Sequence, residues 1–426
     1  MFSNYKSSLY LAISGLVFGL TSHVHAKINV DFNGFANLAL TYSDDEHYKF
    51  RNSILNNGRS GLSLAPDSIL GLQSSVEFTD EFEAIGQVIL QDRSNAKFTN
   101  YLELAFLRYH FSRNLNVKVG RFSTNAYLLT DSRHVSYSFN WARVPFEMYS
   151  TAGSVGNING AQINYTVATP LGRLKASAAN GKIQFSDREV TEFEVDYTDV
   201  RAFSLELGSY DWRVQVAHVS TELDNLEFNG IDQIKALDTS LPPQLSVLIP
   251  FVDELQDNVL GDGKTITYTS IGALYNYNNF EFIAEYGFYD SDWALAQSSS
   301  YSYASISKTF GDFTGFLTFG EVDGKDFEKV INLDAAAMQL PPELVGQLAA
   351  ISSPINASAI ENLPDQNTLS IGLRWDFNIN WALKFQFDHN VINNSSNGLF
   401  SVNDDVDRAS LDGRVNVFNI GLSTTF

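Results

Sequence analysis

The chain has 426 residues, Lys+Arg 28 against Asp+Glu 49, a net charge of -21 and no cysteine. The acid excess excludes nucleic acid as a partner class, and the absence of cysteine excludes a disulfide scaffold. Aromatic residues are plentiful (Phe 32, Tyr 19, Trp 5), and no stretch past the N-terminal segment has the apolar length of a transmembrane helix.

Lys6 precedes an apolar core from Leu9 to Leu20, and Val24-His25-Ala26 offers a small-residue exit before Lys27. This pattern predicts a secretory signal peptide over 1-26, cleaved near Ala26, and is too short for a membrane span.

From residue 27 onward the pattern alternates. Ile28, Val30, Phe32, Ala36, Leu38 and Leu40 oppose Asn29, Asp31, Asn33, Asn37 and Thr41. Residues 280-288, 368-377 and 381-390 repeat the arrangement with Phe, Trp, Leu and Ile on one face and charged or amide side chains on the other. A transmembrane strand needs about 9–11 residues of this kind, with apolar side chains toward lipid. Sixteen strands are predicted near 27-42, 67-79, 82-91, 100-112, 114-122, 158-168, 172-181, 199-209, 212-221, 265-277, 280-290, 300-310, 312-321, 368-377, 381-390 and 414-426. In 100-112 and 300-310 either face can look outward. In the last strand Phe418, Ile420, Leu422, Thr424 and Phe426 share one face. An exposed amphipathic edge strand invites aggregation, so this strand is expected to close on 27-42. The predicted fold is all-β: a transmembrane antiparallel β-barrel of about sixteen strands.

The connections alternate between short and long. The short ones are Thr79-Asp80-Glu81, Ser112-Arg113-Asn114, Thr169-Pro-Leu-Gly172, Tyr210-Asp211, Asn278-Asn279, Gly311-Asp312 and Asn378-Ile-Asn380. Short turns on one side and long extracellular loops on the other belong to outer-membrane barrels. Aromatics flank the short turns, for instance Phe310 with Phe313 and Trp375 with Trp381, as an interfacial girdle requires. Two long connections, 222-264 and 322-367, each carry Leu-Pro-Pro-x-Leu (Leu241 to Leu245, Leu340 to Leu344) before apolar residues at helical spacing. They predict partly helical extracellular loops, either a lid or decoration.

Strand five reads Asn116-Val-Lys-Val-Gly-Arg-Phe122 and opens into a third long connection, 123-157. With that strand, the long connection after it, the sixteen-strand pattern and the terminal Phe426, the chain resembles the Gram-negative outer-membrane porin family. The resemblance spans residues 27-426. It implies a third loop folded into the barrel to narrow the pore, a homotrimer, and Phe426 as the barrel-assembly signal. The Pro-Glu-Phe-Gly-Gly signature of enterobacterial members is absent; Val144-Pro145-Phe146-Glu147 stands in its place.

A pore needs a constriction with fixed charges. The candidates are Asp131, Arg133, His134, Arg143 and Glu147 in the third connection, with Lys118 and Arg121 at its base. Lumen-wall candidates are Asp31, Arg173, Lys175, Arg213, Glu281, Glu285, Arg374, Lys384 and Asp388. The acidic runs Asp44-Asp45-Glu46 and Asp404-Asp405-x-Asp407 lack EF-hand spacing and read as solvated loops. No His-Glu-x-x-His or phosphate-cradling glycine loop occurs, so no catalytic centre, metal or cofactor is expected.

The leading expectation is a porin for passive diffusion of small hydrophilic solutes across the cell outer membrane. The alternatives are a porin selective for anions such as phosphate or dicarboxylates, and a non-conducting adhesin or receptor barrel. The expected partners are lipopolysaccharide and outer-membrane lipid, the outer-membrane assembly machinery, the copies of a homotrimer and the solutes.

Overall fold

The computed structural model describes residues 28–53, 56–93, 97–150, 156–187, 193–227, 231–236, 249–296, 298–324, 363–393, 396–402 and 413–426, with single positions between 342 and 359 and Leu411. Sixteen long strands follow one another around a closed antiparallel barrel. They are β1 (Asn29–Ser43), β2 (Ile69–Glu77), β3 (Phe82–Gln91), β4 (Leu102–His110), β5 (Leu115–Ser123), β6 (Asn157–Thr169), β7 (Gly172–Asp187) and β8 (Phe193–Gly208). The second half comprises β9 (Trp212–Glu227), β10 (Thr265–Tyr277), β11 (Phe280–Ser291), β12 (Ser299–Phe310), β13 (Phe313–Gly324), β14 (Asp365–Asn378), β15 (Trp381–Ile392) and β16 (Arg414–Thr425). Closure runs through β1, which pairs with β16 from Phe35↔Thr425 to Ser43↔Val417 and with β2 from Asn29↔Glu77 to Asn37↔Ile69. Closure leaves no edge unpaired. The Phe426 ring lies over Gly34, where any Cβ would collide with it.

The residue chemistry explains each wall. Outward positions such as Leu38, Ile163, Phe203, Ile271, Phe319 and Ile371 are exposed for lipid, while their neighbours in sequence point inward. At the Asn278-Asn279 turn both residues hold positive φ, 47° and 64°, the geometry of a two-residue hairpin. Near the turns Phe310 stacks on Phe313 at 6.4 Å and Phe313 on Trp375 at 5.9 Å.

Some strands differ from expectation. The segment predicted as strand from residue 100 begins with a short helix, Phe98–Tyr101, so β4 starts at Leu102. Strands β7, β8 and β9 run beyond the expected lipid-spanning lengths. Their extensions stand on an extracellular apolar cluster of Val195, Leu223, Leu226, Ile231, Ile266 and Trp293. The helix Ile249–Val259 buries Val252, Leu255 and Val259, and Trp293 Nε1 of the cluster donates to the Val259 carbonyl at 3.1 Å. The two Leu-Pro-Pro-x-Leu cores fall almost wholly outside the described residues, as do the signal segment and Asp404 to Asp407.

The main apolar cluster sits inside the barrel. Tyr127, Leu128, Phe139, Trp141, Phe146 and Met148 of the third connection pack against inward-facing Tyr268, Ile283, Tyr301, Tyr303 and Phe316.

Candidate functional site

β5 ends at Ser123, whose Oγ donates to Asn157 Oδ1 at 2.9 Å, and Thr124 N donates to Gly156 O at 2.9 Å. These bonds pinch the root of the third connection and send 124–150 inward. The segment then crosses one side of the lumen strand by strand. Gln215 of β9 donates to the carbonyls of Asn125 (2.9 Å) and Tyr127 (3.1 Å), and Ser270 of β10 to that of Ala126 (2.6 Å). Glu285 of β11 accepts from Leu128 N at 2.9 Å and from Tyr149 Oη at 2.7 Å, so one carboxylate ties both ends of the segment. Trp141 Nε1 donates to Ser305 of β12 (3.0 Å) and Thr318 of β13 (2.9 Å).

Two cations of the wall finish the attachment. Arg374 of β14 donates to the carbonyls of Tyr137 (2.8 Å) and Phe139 (2.9 Å) and pairs with Asp376 at 2.7 Å. Lys384 of β15 has 0 % exposure; its ammonium donates to the carbonyls of Ser136, Phe139 (2.6 Å) and Trp141 (2.7 Å). Three acceptors satisfy the three ammonium donors, which makes burial of that charge tolerable. Glu147 accepts from Thr368 Oγ1 and from Gln366 Nε2 (3.0 Å), and it presses on Gly320, a position with no room for a Cβ. Burial raises the Glu147 pKa above its ordinary value.

Most residues expected to face the pore from the third connection are instead packed. Arg133 is buried, 2.5 Å from Glu103 of β4, and donates to Thr130 O at 2.9 Å. His134 lies 3.2 Å from the same carboxylate, and burial lowers its pKa although Glu103 pulls the other way. Arg143 sits between Asp67 (3.4 Å) and Asp388 (3.5 Å), with its guanidinium 4.2 Å from the Phe50 ring centre. Glu147 is buried as described. Each is therefore placed as an anchor, because a nearby wall residue of complementary chemistry holds it. Arg121 is a correction of face. It shares the outward parity of Val117 and Val119 and stands opposite Ala105 and Asn159, both exposed. Asp131 is exposed to the lumen, and Lys118, 5.2 Å from the Phe106 ring centre, lies within its electrostatic reach.

The wall candidates divide in the same way. Glu281, which accepts from Asn140 at 2.8 Å, lies under the third connection with Glu285, Arg374, Lys384 and Asp388. Asp31 and Arg173 occupy inward positions near the short-turn side and are exposed. Lys175 and Arg213 face a cavity of about 150 Å³ left between residues 125–132 and the wall of β6 to β9. Glu206 stands between them, 2.6 Å from Lys175 Nζ and 3.8 Å from Arg213 Nη1. Asp131 and the amides and hydroxyls of Asn125, Thr130, Asn164, Thr166, Ser177, Ser204 and Gln215 line the rest. The lining carries two fixed charges of each sign and neutral polar groups, so it can hydrate and orient a polar solute without covalent chemistry.

Glu206, Glu103 and Asp67 were not among the sequence candidates. Glu206 was legible, since it shares the inward parity of Ser204. Glu103 was not: a register shift between Gln87 and Val88 on the partner strand turns it inward out of sequence rhythm.

Comparison with known proteins agrees with this architecture. A model of the Gram-negative porin family matches residues 12–403. Similar solved structures include Salmonella typhi OmpF in complex with daunomycin, with TM-score 0.53 and 13% identity over 95% of this chain and 99% of that one. The anion-selective porin of Comamonas acidovorans has TM-score 0.53 and 11% identity over 94% and 100%. A loop L8 deletion mutant of Vibrio cholerae OmpT has TM-score 0.51 and 11% identity over 94% and 99%. At such identities these structures speak to the fold alone. No curated protein sequence matches the chain. The chain belongs to the Gram-negative porin family: it is an outer-membrane channel protein and not an enzyme.

Proposed function

We propose that small hydrophilic solutes diffuse down their gradients through the passage between the third connection and β6 to β9, with weak preference for either sign of charge. The observation that carries this reading is the lining: Lys175 and Arg213 against Asp131 and Glu206, among neutral amides and hydroxyls. Glu206 lies between Lys175 and Arg213 on the wall and Asp131 stands on the loop side, so the lining orients dipolar solutes while its fields largely cancel at a distance. An anion-selective channel built on Arg133 and Arg143 is disfavoured, because buried carboxylates compensate both guanidinium groups.

The remaining parts of the reading are proposals of the same standing. Removal of 1-26 near Ala26 accompanies export, the assembly machinery inserts the barrel with Phe426 as its signal, and three copies associate. The outward strip Ser74–Gly86–Ala105 runs across β2, β3 and β4 with minimal side chains, a surface suited to close approach of a second wall. One similar structure, in-vitro folded OmpT of Vibrio cholerae, is described as a trimer form.

Planar-bilayer recording tests the proposal. Openings in groups of three, with ohmic and weakly selective current, are expected. Saturable block by phosphate or a dicarboxylate favours the anion-selective alternative, and silence from verified folded barrels favours the adhesin or receptor alternative.

A further inference from the structure

The wall of the cavity between 125–132 and β6 to β9 is a grid of cross-strand partners. Thr166, Lys175, Glu206 and Gln215 stand in one row across β6, β7, β8 and β9, and Asn164, Ser177 and Ser204 form the next row toward the long loops. All seven line the cavity. Neighbours within a row are about 4.8 Å apart and the two rows about 6.8 Å apart, a frame on the scale of one sugar ring. Hydroxyls, amides and a single ion pair fill it.

These groups are fixed by one another. Gln215 spends both Nε2 protons on the carbonyls of Asn125 and Tyr127, and Asn164 Nδ2 donates to Asn116 Oδ1 at 3.1 Å. Asn125 Nδ2 donates to Ser177 Oγ at 3.0 Å, and the hydroxyls of Ser177 and Ser204 are 2.5 Å apart. With the donor ends tied, the amide oxygens are the acceptors the lining offers a guest. Lys175 Nζ lies 2.6 Å from Glu206 Oε1, and Arg213 Nη1 stands 3.8 Å from Glu206 Oε2. A solute carboxylate has to displace Glu206 to take its place between the two cations. A pair of hydroxyls does not. One accepts from a remaining ammonium proton of Lys175 while its neighbour donates to the Glu206 carboxylate. The two atoms of the ion pair are spaced as closely as the oxygens of a vicinal diol. From the loop side Asp131 adds a second carboxylate that can accept hydroxyl protons.

We propose that this cavity is a resting site for a neutral polyhydroxylated solute, a hexose or hexitol. Lys175 and Glu206 bridge two adjacent hydroxyls, and Asn164, Ser204 and Asp131 take others. The site rests on the passage reading given above and names a solute class for it. Flux of such a solute saturates with its concentration, because each molecule pauses at one place on its way through.

The test records the conductance of wild-type barrels in a planar bilayer while D-glucose, glycine or a short poly(ethylene glycol) is added at matched bulk conductivity. Binding of D-glucose to the same folded protein in detergent is followed in parallel by saturation-transfer NMR, which needs no conduction. D-Glucose is expected to lower the conductance saturably, with half-saturation in the millimolar range. In the charge-balanced Lys175→Met/Glu206→Leu variant, checked for folding by heat-modifiable gel mobility, affinity is expected to fall about tenfold. In the milder Asn164→Ala it is expected to fall about threefold. Equal affinity in the double variant overturns the site. A current lowered by D-glucose only as by poly(ethylene glycol), without saturation transfer, overturns the site and leaves the channel reading standing. Saturation by glycine in place of D-glucose overturns the sugar assignment in favour of a zwitterion. Sugar binding by folded barrels that carry no current upholds the site and overturns the passage reading.

Discussion

Strands β10 to β15 and strands β5 to β9 enclose one lumen and face it with opposite chemistry. On the first side inward Tyr268, Ile283, Tyr301, Tyr303 and Phe316 meet a buried loop, as in the core of a soluble protein. On the second, Lys175, Glu206 and Arg213 face the unfilled part. The two lysines Lys384 and Lys175 make the contrast plain. Both point inward from the fourth position of their strands, yet one side chain has 0 % exposure and holds three loop carbonyls while the other is 52% exposed beside Glu206. The pleat decides which residues look inward. Whether an inward charge serves as clamp or as channel lining depends on what comes to lie over it.

The largest expected effect comes from breaking the clamped side. Lys384→Met leaves the carbonyls of Ser136, Phe139 and Trp141 without their donor and is expected to weaken loop seating by about 1–3 kcal/mol for each orphaned acceptor. Single-channel recordings should show larger and noisier openings; an unchanged current trace refutes the clamp. Trp141→Ala removes the ring bonded to Ser305 and Thr318, and a cost of about 3 kcal/mol is expected, read as a lower thermal midpoint of the folded barrel.

A pH experiment probes the same side. Burial holds the Glu147 carboxyl above its ordinary value of 4.5, so the seated loop binds a proton that a released loop gives up. Seating is then firmest below the ordinary value and weakens as pH rises through the raised one. Current noise should grow with pH across that window in the wild type and stay level in Glu147→Gln.

The open side calls for a gentler measurement. Lys175→Gln and Arg213→Gln are each expected to raise the cation-to-anion permeability ratio by about twofold, the scale of one partly exposed charge, read from the reversal potential in a salt gradient. The smallest shift belongs to Arg133→Gln, whose guanidinium is already matched by Glu103. A larger shift from Arg133 than from Lys175 would invert the assignment of the two sides.

Much of the wall was legible because a strand's period of two is rigid and lipid accepts only one face. β15 reads from Trp381 to Asp388 without ambiguity, and the hairpin turns announce themselves in Asn278-Asn279 and Gly311-Asp312. The site was less legible, for a definite physical reason. Parity says that Glu285 and Lys384 point inward but is silent on whether water or protein meets them. A clue existed in Tyr301 and Tyr303, aromatic residues on the inward parity of a strand whose orientation was ambiguous from sequence. Aromatic rings facing a lumen call for something apolar to cover them, and the third connection does so with Trp141 and Tyr149. Arg121 was misassigned to the constriction although its alternation with Val117 and Val119 already placed it outside.

The single carboxylate of Glu285 also bears on how the molecule is made. It bonds Leu128, 157 positions earlier in the chain, and the Ala142 bond to Gln386 spans 244. Such non-local contacts carry a large loop-closure entropy and form late. The loop follows β5 in the chain, yet its seat does not exist until β15 is in place. Narrowing of the lumen is therefore a closing event of folding, and a barrel caught before that step has a wider bore than the finished one.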